Sequence, residues 1–134
     1  MRIAIVDGQG GGVGKALAAA LAERAPAGTE ILALGTNSAA TSAMLKAGAK
    51  FGATGENAIV VNAPRMDAIV GPVGIVVANS MFGELSPAMA RAIGESPALK
   101  VLIPMERCGI IVAGGSSKTL QERIDEAVDI LLKP

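Results

Sequence analysis

The chain has 134 residues, 51% of them hydrophobic and 18% charged, with 17 glycines and 7 prolines. That is the length of one domain, with enough apolar surface to offset the entropy of ordering, so a disordered chain is excluded. Twelve basic and twelve acidic side chains cancel, which argues against a general nucleic-acid binder, and histidine, tyrosine and tryptophan are absent, which excludes an imidazole base and a tyrosine–lysine proton relay. Arg2 to Val6 is a β-branched apolar run that predicts a buried strand. A glycine loop follows, then a helical pattern with Val13, Leu17, Ala20 and Leu21 on one face. That helix should end near Arg24, because Ala25-Pro26 and Gly28 cannot continue it. Glu30 to Leu34 reads as a second strand, and Gly35-Thr36-Asn37-Ser38 opens a small-residue helix stopped by Gly48.

After the polar stretch Gly52 to Asn57, Ala58 to Val61 predicts a third strand and Ala68 to Val70 a fourth. Gly71 to Phe82 reads ambiguously between strand and buried helix, with helix favoured for its second half. Ser86-Pro87 is an N-cap and first-turn pair for a helix ending at Gly94. Val101 to Ile103 gives a fifth strand stopped by Pro104, and Ile110 to Ala113 a candidate sixth. Thr119 and Glu122 form a capping box for a last helix with Leu120, Ile124, Ala127, Val128 and Leu131 on one stripe. The alternation of strands and helices predicts a single α/β domain over residues 1–134, a three-layer Rossmann-like fold with a mostly parallel sheet.

The strongest local signal is the run Asp7-Gly8-Gln9-Gly10-Gly11-Gly12-Val13-Gly14-Lys15 between the first strand and the first helix. Glycines let a ligand approach the backbone closely, and a helix N-terminus presents unpaired N–H groups to an anion. Gly8, Gly10, Gly11, Gly12, Val13, Gly14 and Lys15 are therefore the candidate phosphate cradle. The competing reading is that these glycines only permit tight strand–helix packing. Thr36, Asn37 and Ser38, in the second strand-to-helix loop, are candidates for a sugar or second anion; ordinary helix capping explains them equally. A nucleotide or dinucleotide is the cofactor class such loops admit.

Three loop families compare with this run. The dinucleotide fingerprint G-x-G-x-x-G counted from Gly8 fails at Val13. The spacing Gly8, Gly12, Gly14 resembles the cofactor loop of short-chain dehydrogenases, whose Tyr-x-x-x-Lys pair this chain lacks. Gly10 to Ala16 resembles the deviant phosphate loop of partitioning-type ATPases, but Ala16 replaces the magnesium-holding hydroxyl and Gly10 the leading lysine.

Asp7 to Lys15 (DGQGGGVGK), Ala33 to Ala49, Gly52 to Asn62, Gly71-Pro72 and Ala78 to Glu84 together resemble a short bacterial family of unknown function, essentially end to end. Over Met66 to Val101 the chain is also similar to the sugar-nucleotide-binding and phospholactate-transferase group of Rossmann-like proteins, which share a glycine-rich first loop. That second resemblance implies a nucleotide-type ligand.

Three function classes follow. The preferred one is binding of a nucleotide or other phosphorylated small molecule at the carboxyl edge of the sheet. The others are a small enzyme using Asp7, Glu56 or Glu84 as acid and base, with or without NAD(P), and a structural or sensory homo-oligomer that binds no ligand. Cys108, beside Arg107, is the lone thiol; it excludes an intrachain disulfide and fits a reducing compartment. No apolar stretch approaches the length of a membrane span, so the expected location is the cytoplasm, with no membrane and no nucleic-acid partner. Low charge on a small domain predicts a homodimer or a tetramer of dimers, with Val76 to Leu85 as the expected interface.

Overall fold

A computed structural model of the chain describes residues 1–106, 109–115 and 117–133. Five strands, β1 (Arg2–Asp7), β2 (Glu30–Gly35), β3 (Phe51–Thr54), β4 (Ala68–Pro72) and β5 (Leu99–Ile103), form one sheet in the order β3-β2-β1-β4-β5. Every pairing is parallel, so the fold is the doubly wound, Rossmann-like α/β architecture, with an entirely parallel sheet.

Helices cover both faces. The strands alternate their side chains between them, Ile3 and Ile5 of β1 pointing one way and Ala4 and Val6 the other, all fully buried. One face packs against α1 (Gly12–Arg24), α2 (Ser38–Ala47) and α5 (Leu120–Leu131), through Leu17, Leu21, Met44, Ile124 and Val128. The other packs against α3 (Glu56–Asn62) and α4 (Pro87–Glu95), through Ile59, Met89 and Ile93. Each large side chain removed from water in this way contributes about 1.5–3 kcal/mol. The near-continuous apolar reading of β1 and β4 follows from burial on both faces.

Local chemistry sets the helix ends. Asn37 caps α2, its Oδ1 accepting the Ala40 N–H at 2.9 Å, and Gly48 stops it. Ser86 caps α4 by accepting the Met89 N–H, with Pro87 in the first turn. Thr119 and Glu122 form the expected box on α5. In that helix Ile124, Ala127, Val128 and Leu131 are buried, while Leu120 stays 44% exposed.

Three expectations are corrected. Ala58 to Val61 is the body of α3, and β3 lies earlier, at Phe51–Thr54. Only Ile59 of that helix is buried, with Val60 and Val61 on the outside, so an apolar β-branched run was here a weak guide to strand. Ile110 to Ala113 joins no strand, and Ile111 and Val112 are exposed. The segment after β4 contains a short 3-10 turn, Val73–Val76, followed by consecutive turns through Glu84 rather than a helix. Within the expected interface, Leu85 is fully buried and Met81 half-buried; Phe82 is its one fully exposed large side chain.

Candidate functional site

The sheet order reverses direction at β1, whose neighbours β2 and β4 lead to opposite faces. A crevice at the carboxyl ends of the strands is the consequence. It is a cleft of about 790 Å³ between the loop after β1 and the segment after β4. Gly8 to Val13 form one wall; Pro72 to Gly74 and Val77 to Phe82 form the other, with Met105 and Leu120 at its margin.

The glycine run divides into two kinds of position. Gly8, Gly11 and Gly14 are pressed against neighbours. A Cβ on Gly14 would lie 2.6 Å from the Met44 sulfur and 2.9 Å from the Asp7 Cβ. At Gly11, which holds φ of 73° as the N-cap of α1, it would lie 2.9 Å from the Ala40 Cα. Gly10 and Gly12 are different: both are exposed, and a Cβ on either meets nothing within 4 Å. Among the described residues no protein acceptor takes the N–H of Gly10 or Gly12. Packing therefore explains three glycines and leaves two unexplained.

Asp7 lies beneath the loop, 5% exposed. Its two carboxylate oxygens accept the N–H groups of Gly8 at 2.8 Å and Gly14 at 2.7 Å. Burial raises its pKa, opposed by those N–H donors, with the nearby charge of Glu84 a smaller contribution upward. Asp7 thus places a carboxyl at the N-terminus of α1 and ties the first strand to the helix. This binding of the loop's own amides is a positioning role, because both oxygens are already engaged.

Glu84 does the same from outside. Its Oε1 accepts the Gln9 N–H at 2.8 Å, the Thr36 hydroxyl at 2.7 Å and the Asn37 amide at 2.8 Å. The Gln9 N–H and then the Thr36 hydroxyl hold the carboxyl below the ordinary glutamate value. Asn37 also donates to the Gln9 carbonyl. One carboxylate oxygen therefore joins three loops, those after β1, β2 and β4.

Glu84 reaches that position from strained backbone. Asn79, Met81 and Phe82 have φ of 66°, 59° and 56°, and Gly83 follows at 87°. A left-handed residue other than glycine costs about 1–2 kcal/mol. The segment is held in this shape by Ser80 and Leu85, both buried: the Ser80 hydroxyl donates to the Gly74 carbonyl at 2.6 Å, the Leu85 N–H to the Ser80 carbonyl, and the Asn79 N–H to the Leu85 carbonyl. Phe82 is left at the lip of the cleft, 101% exposed.

The expected site residues separate accordingly. Gly8, Gly10, Gly11, Gly12 and Val13 line the cleft; Gly14 is buried behind it and Lys15 is exposed outside it. Thr36, Asn37 and Ser38 do not line it: Thr36 and Asn37 face Glu84, and Ser38 is the exposed first residue of α2. Glu56 lies on α3, where it accepts the Ser86 hydroxyl at 2.5 Å, away from the cleft. Among the described residues no group of three metal-ligating side chains is assembled. Cys108 and Arg107 lie outside the described residues. The far wall of the cleft, Pro72 to Phe82, was not recognisable as a binding surface from sequence; Asn79, Ser80 and Glu84 embedded among apolar residues were its one signal.

No helix among the described residues is long and apolar enough to cross a membrane. No curated protein matches the chain. Among solved structures, a dodecameric FMN-dependent UbiX-like decarboxylase from Escherichia coli O157:H7 is similar over 98% of this chain and 76% of its own, with 18% identity and a TM-score of 0.48. Residues 2–134 match the family described as "Domain of unknown function (DUF3842)", and the chain belongs to that family.

Proposed function

We propose that the protein binds a nucleotide or another phosphorylated small molecule in the cleft at the carboxyl end of β1 and β4, with the phosphate on the backbone of Gly10 and Gly12. The observation that carries this reading is the pair of open glycines. At Gly10 and Gly12 a side chain would meet no protein atom, and the N–H groups have no protein acceptor among the described residues. Amides at the start of a 13-residue helix are the standard anion receptor of open α/β sheets. A volume of about 790 Å³ suits a ligand of nucleotide size. Lys15, exposed beside the loop, supplies long-range attraction that salt screens. We further propose that the chain works as a homo-oligomer.

The test uses two glycine substitutions of opposite character, with calorimetric titration of a panel of mononucleotides and phosphorylated sugars. Gly12→Val places its branches in the cleft and leaves the fold intact. Losing a charge-assisted backbone contact there weakens binding by about thirtyfold or more, since such a bond contributes roughly 2 kcal/mol. Gly14→Ala instead forces Met44 and Asp7 apart and lowers stability by about 1–3 kcal/mol. A Gly12→Val protein that binds as tightly as the parent removes the loop as the site.

A further inference from the structure

The two phenylalanines of the chain are Phe51 and Phe82, and it has no tyrosine or tryptophan. Phe82 is fully exposed, and among the described residues it is the one aromatic side chain lining the cleft. A folding chain gains by burying such a ring, yet here it is held outward on a run of left-handed residues. That run is not a loose tip. Gly83 donates to the carbonyls of Asn79 and Ser80, Leu85 donates to Ser80, and Glu84 is fixed to the glycine loop across the cleft. The backbone that carries the ring is thus set relative to the glycine loop before any ligand arrives.

We infer that Phe82 is a ligand-binding residue, stacking on a planar aromatic ring of the molecule whose phosphate rests on the glycine loop. The inference rests on the reading of the cleft as a phosphorylated-ligand site and narrows it to compounds with a flat heteroaromatic ring, nucleoside monophosphates first. Val73, Val77 and Met81, on the same wall of the cleft as Phe82, add apolar surface along which such a ring can lie. A second copy of the chain suits Phe82 less well. An interface core needs a contiguous apolar patch, and around Phe82 stand Asn79, Gly83 and Glu84, while Leu85 is buried. A single ring beside a cleft is the arrangement that stacking uses.

The experiment compares AMP, GMP, CMP and UMP with ribose 5-phosphate, which carries the phosphate and sugar without a base. Calorimetry on the parent and Phe82→Ala is paired with Phe82→Trp, which introduces the chain's single indole. At least one mononucleotide binds the parent more tightly than ribose 5-phosphate does. Phe82→Ala weakens that nucleotide by about ten- to a hundredfold, the size expected for one base–aromatic stack, and changes ribose 5-phosphate less than about twofold. The same nucleotide quenches the Phe82→Trp emission. The inference is overturned if Phe82→Ala binds the nucleotide as the parent does, or weakens nucleotide and ribose 5-phosphate alike. It is overturned equally if the indole responds to protein dilution and not to nucleotide, which would give the ring to a second copy. Ribose 5-phosphate bound with no mononucleotide bound more tightly defeats the stacking and leaves the cleft reading standing; no binding of any of the five defeats both.

Discussion

Two carboxylates with opposite electrostatics hold the glycine loop. Asp7, raised by burial, contributes stability that is full below the ordinary aspartate value of 3.8 and is lost as pH rises through its raised folded value. Glu84, lowered by the Gln9 N–H and then the Thr36 hydroxyl, contributes above the ordinary glutamate value of 4.5 and loses that contribution as pH falls through its lower folded value. Glu84→Gln keeps an oxygen acceptor and removes the charge. Near neutral pH it lowers stability by about 1–2 kcal/mol, the difference between charged and neutral acceptors in such contacts. Urea midpoints taken at falling pH then converge with those of the parent, and a constant gap across the acid range would show that the charge is not what matters. At this scale the sequence was only partly informative. The glycine spacing located the loop, but no periodicity indicates that Glu84, 75 residues from Gln9, closes it. Thr36 and Asn37 read equally as ligand donors and as helix caps, and their non-local partner Glu84 could not be read. Nor does a run of glycines reveal which members are pressed against Met44 or Ala40 and which stand open.

Among the elements, legibility followed the strength of local punctuation. Helices bounded by chemically specific caps were recovered closely: α2 by Asn37 and Gly48, α4 by Ser86-Pro87, and α5 by Thr119 and Glu122. Strands β1, β2 and β4 were readable because both faces are buried and the apolar run is continuous, and the edge strand β5 because Val101 and Ile103 are buried just before Pro104. The failures fall where almost no side chain is buried. Strand β3 is an edge strand with Phe51 55% exposed, and its four residues, Phe-Gly-Ala-Thr, carry little β-branched signal. Helix α3 has seven residues and one buried side chain, too few for a helical period to stand out. Its stability comes from packing on α4, reinforced by the Ser86 hydroxyl donated to Glu56 while the same oxygen accepts the Met89 N–H. Ser86→Ala removes both contacts and lowers stability by about 1 kcal/mol, the usual effect of an N-cap loss. Thermal melts near neutral pH measure it; restoration by Ser86→Asp, which accepts the Met89 N–H as a cap but has no donor for Glu56, separates the cap from the link to Glu56.

On the scale of the molecule, the sheet ends in two edges, β3 and β5, and the charges balance to zero. Neither long-range repulsion nor a closed barrel keeps copies apart. One stretch of exposed apolar surface lies on the β5 side. Ile111 is 84% exposed, Val112 47% and Ile130 45%, and Val112 and Ile130 border a second cavity of about 390 Å³ with Leu102 and Ile103. A surface salt bridge between Arg24 and Asp129 links α1 to α5, and the buried Ile124, Ala127, Val128 and Leu131 fix the helix that presents Ile130. The interface expected at Val76 to Leu85 lacks such continuity, because Leu85 points into the core. Assembly is therefore expected through the β5–α5 face, in a homodimer or a tetramer of dimers closed by two-fold symmetry. Ile130→Asp places an unpaired charge in that contact and raises the dissociation constant by at least about thirtyfold, the effect of losing an interface residue contributing 2 kcal/mol or more. Phe82→Asp, at the cleft, leaves the oligomeric state unchanged. Light scattering coupled to size exclusion over a concentration series distinguishes the cases. A parent chain that is monomeric at micromolar concentration eliminates assembly. An oligomer that loses partners on Phe82→Asp and not on Ile130→Asp returns the interface to the segment after β4, where the same ring could not also serve a ligand.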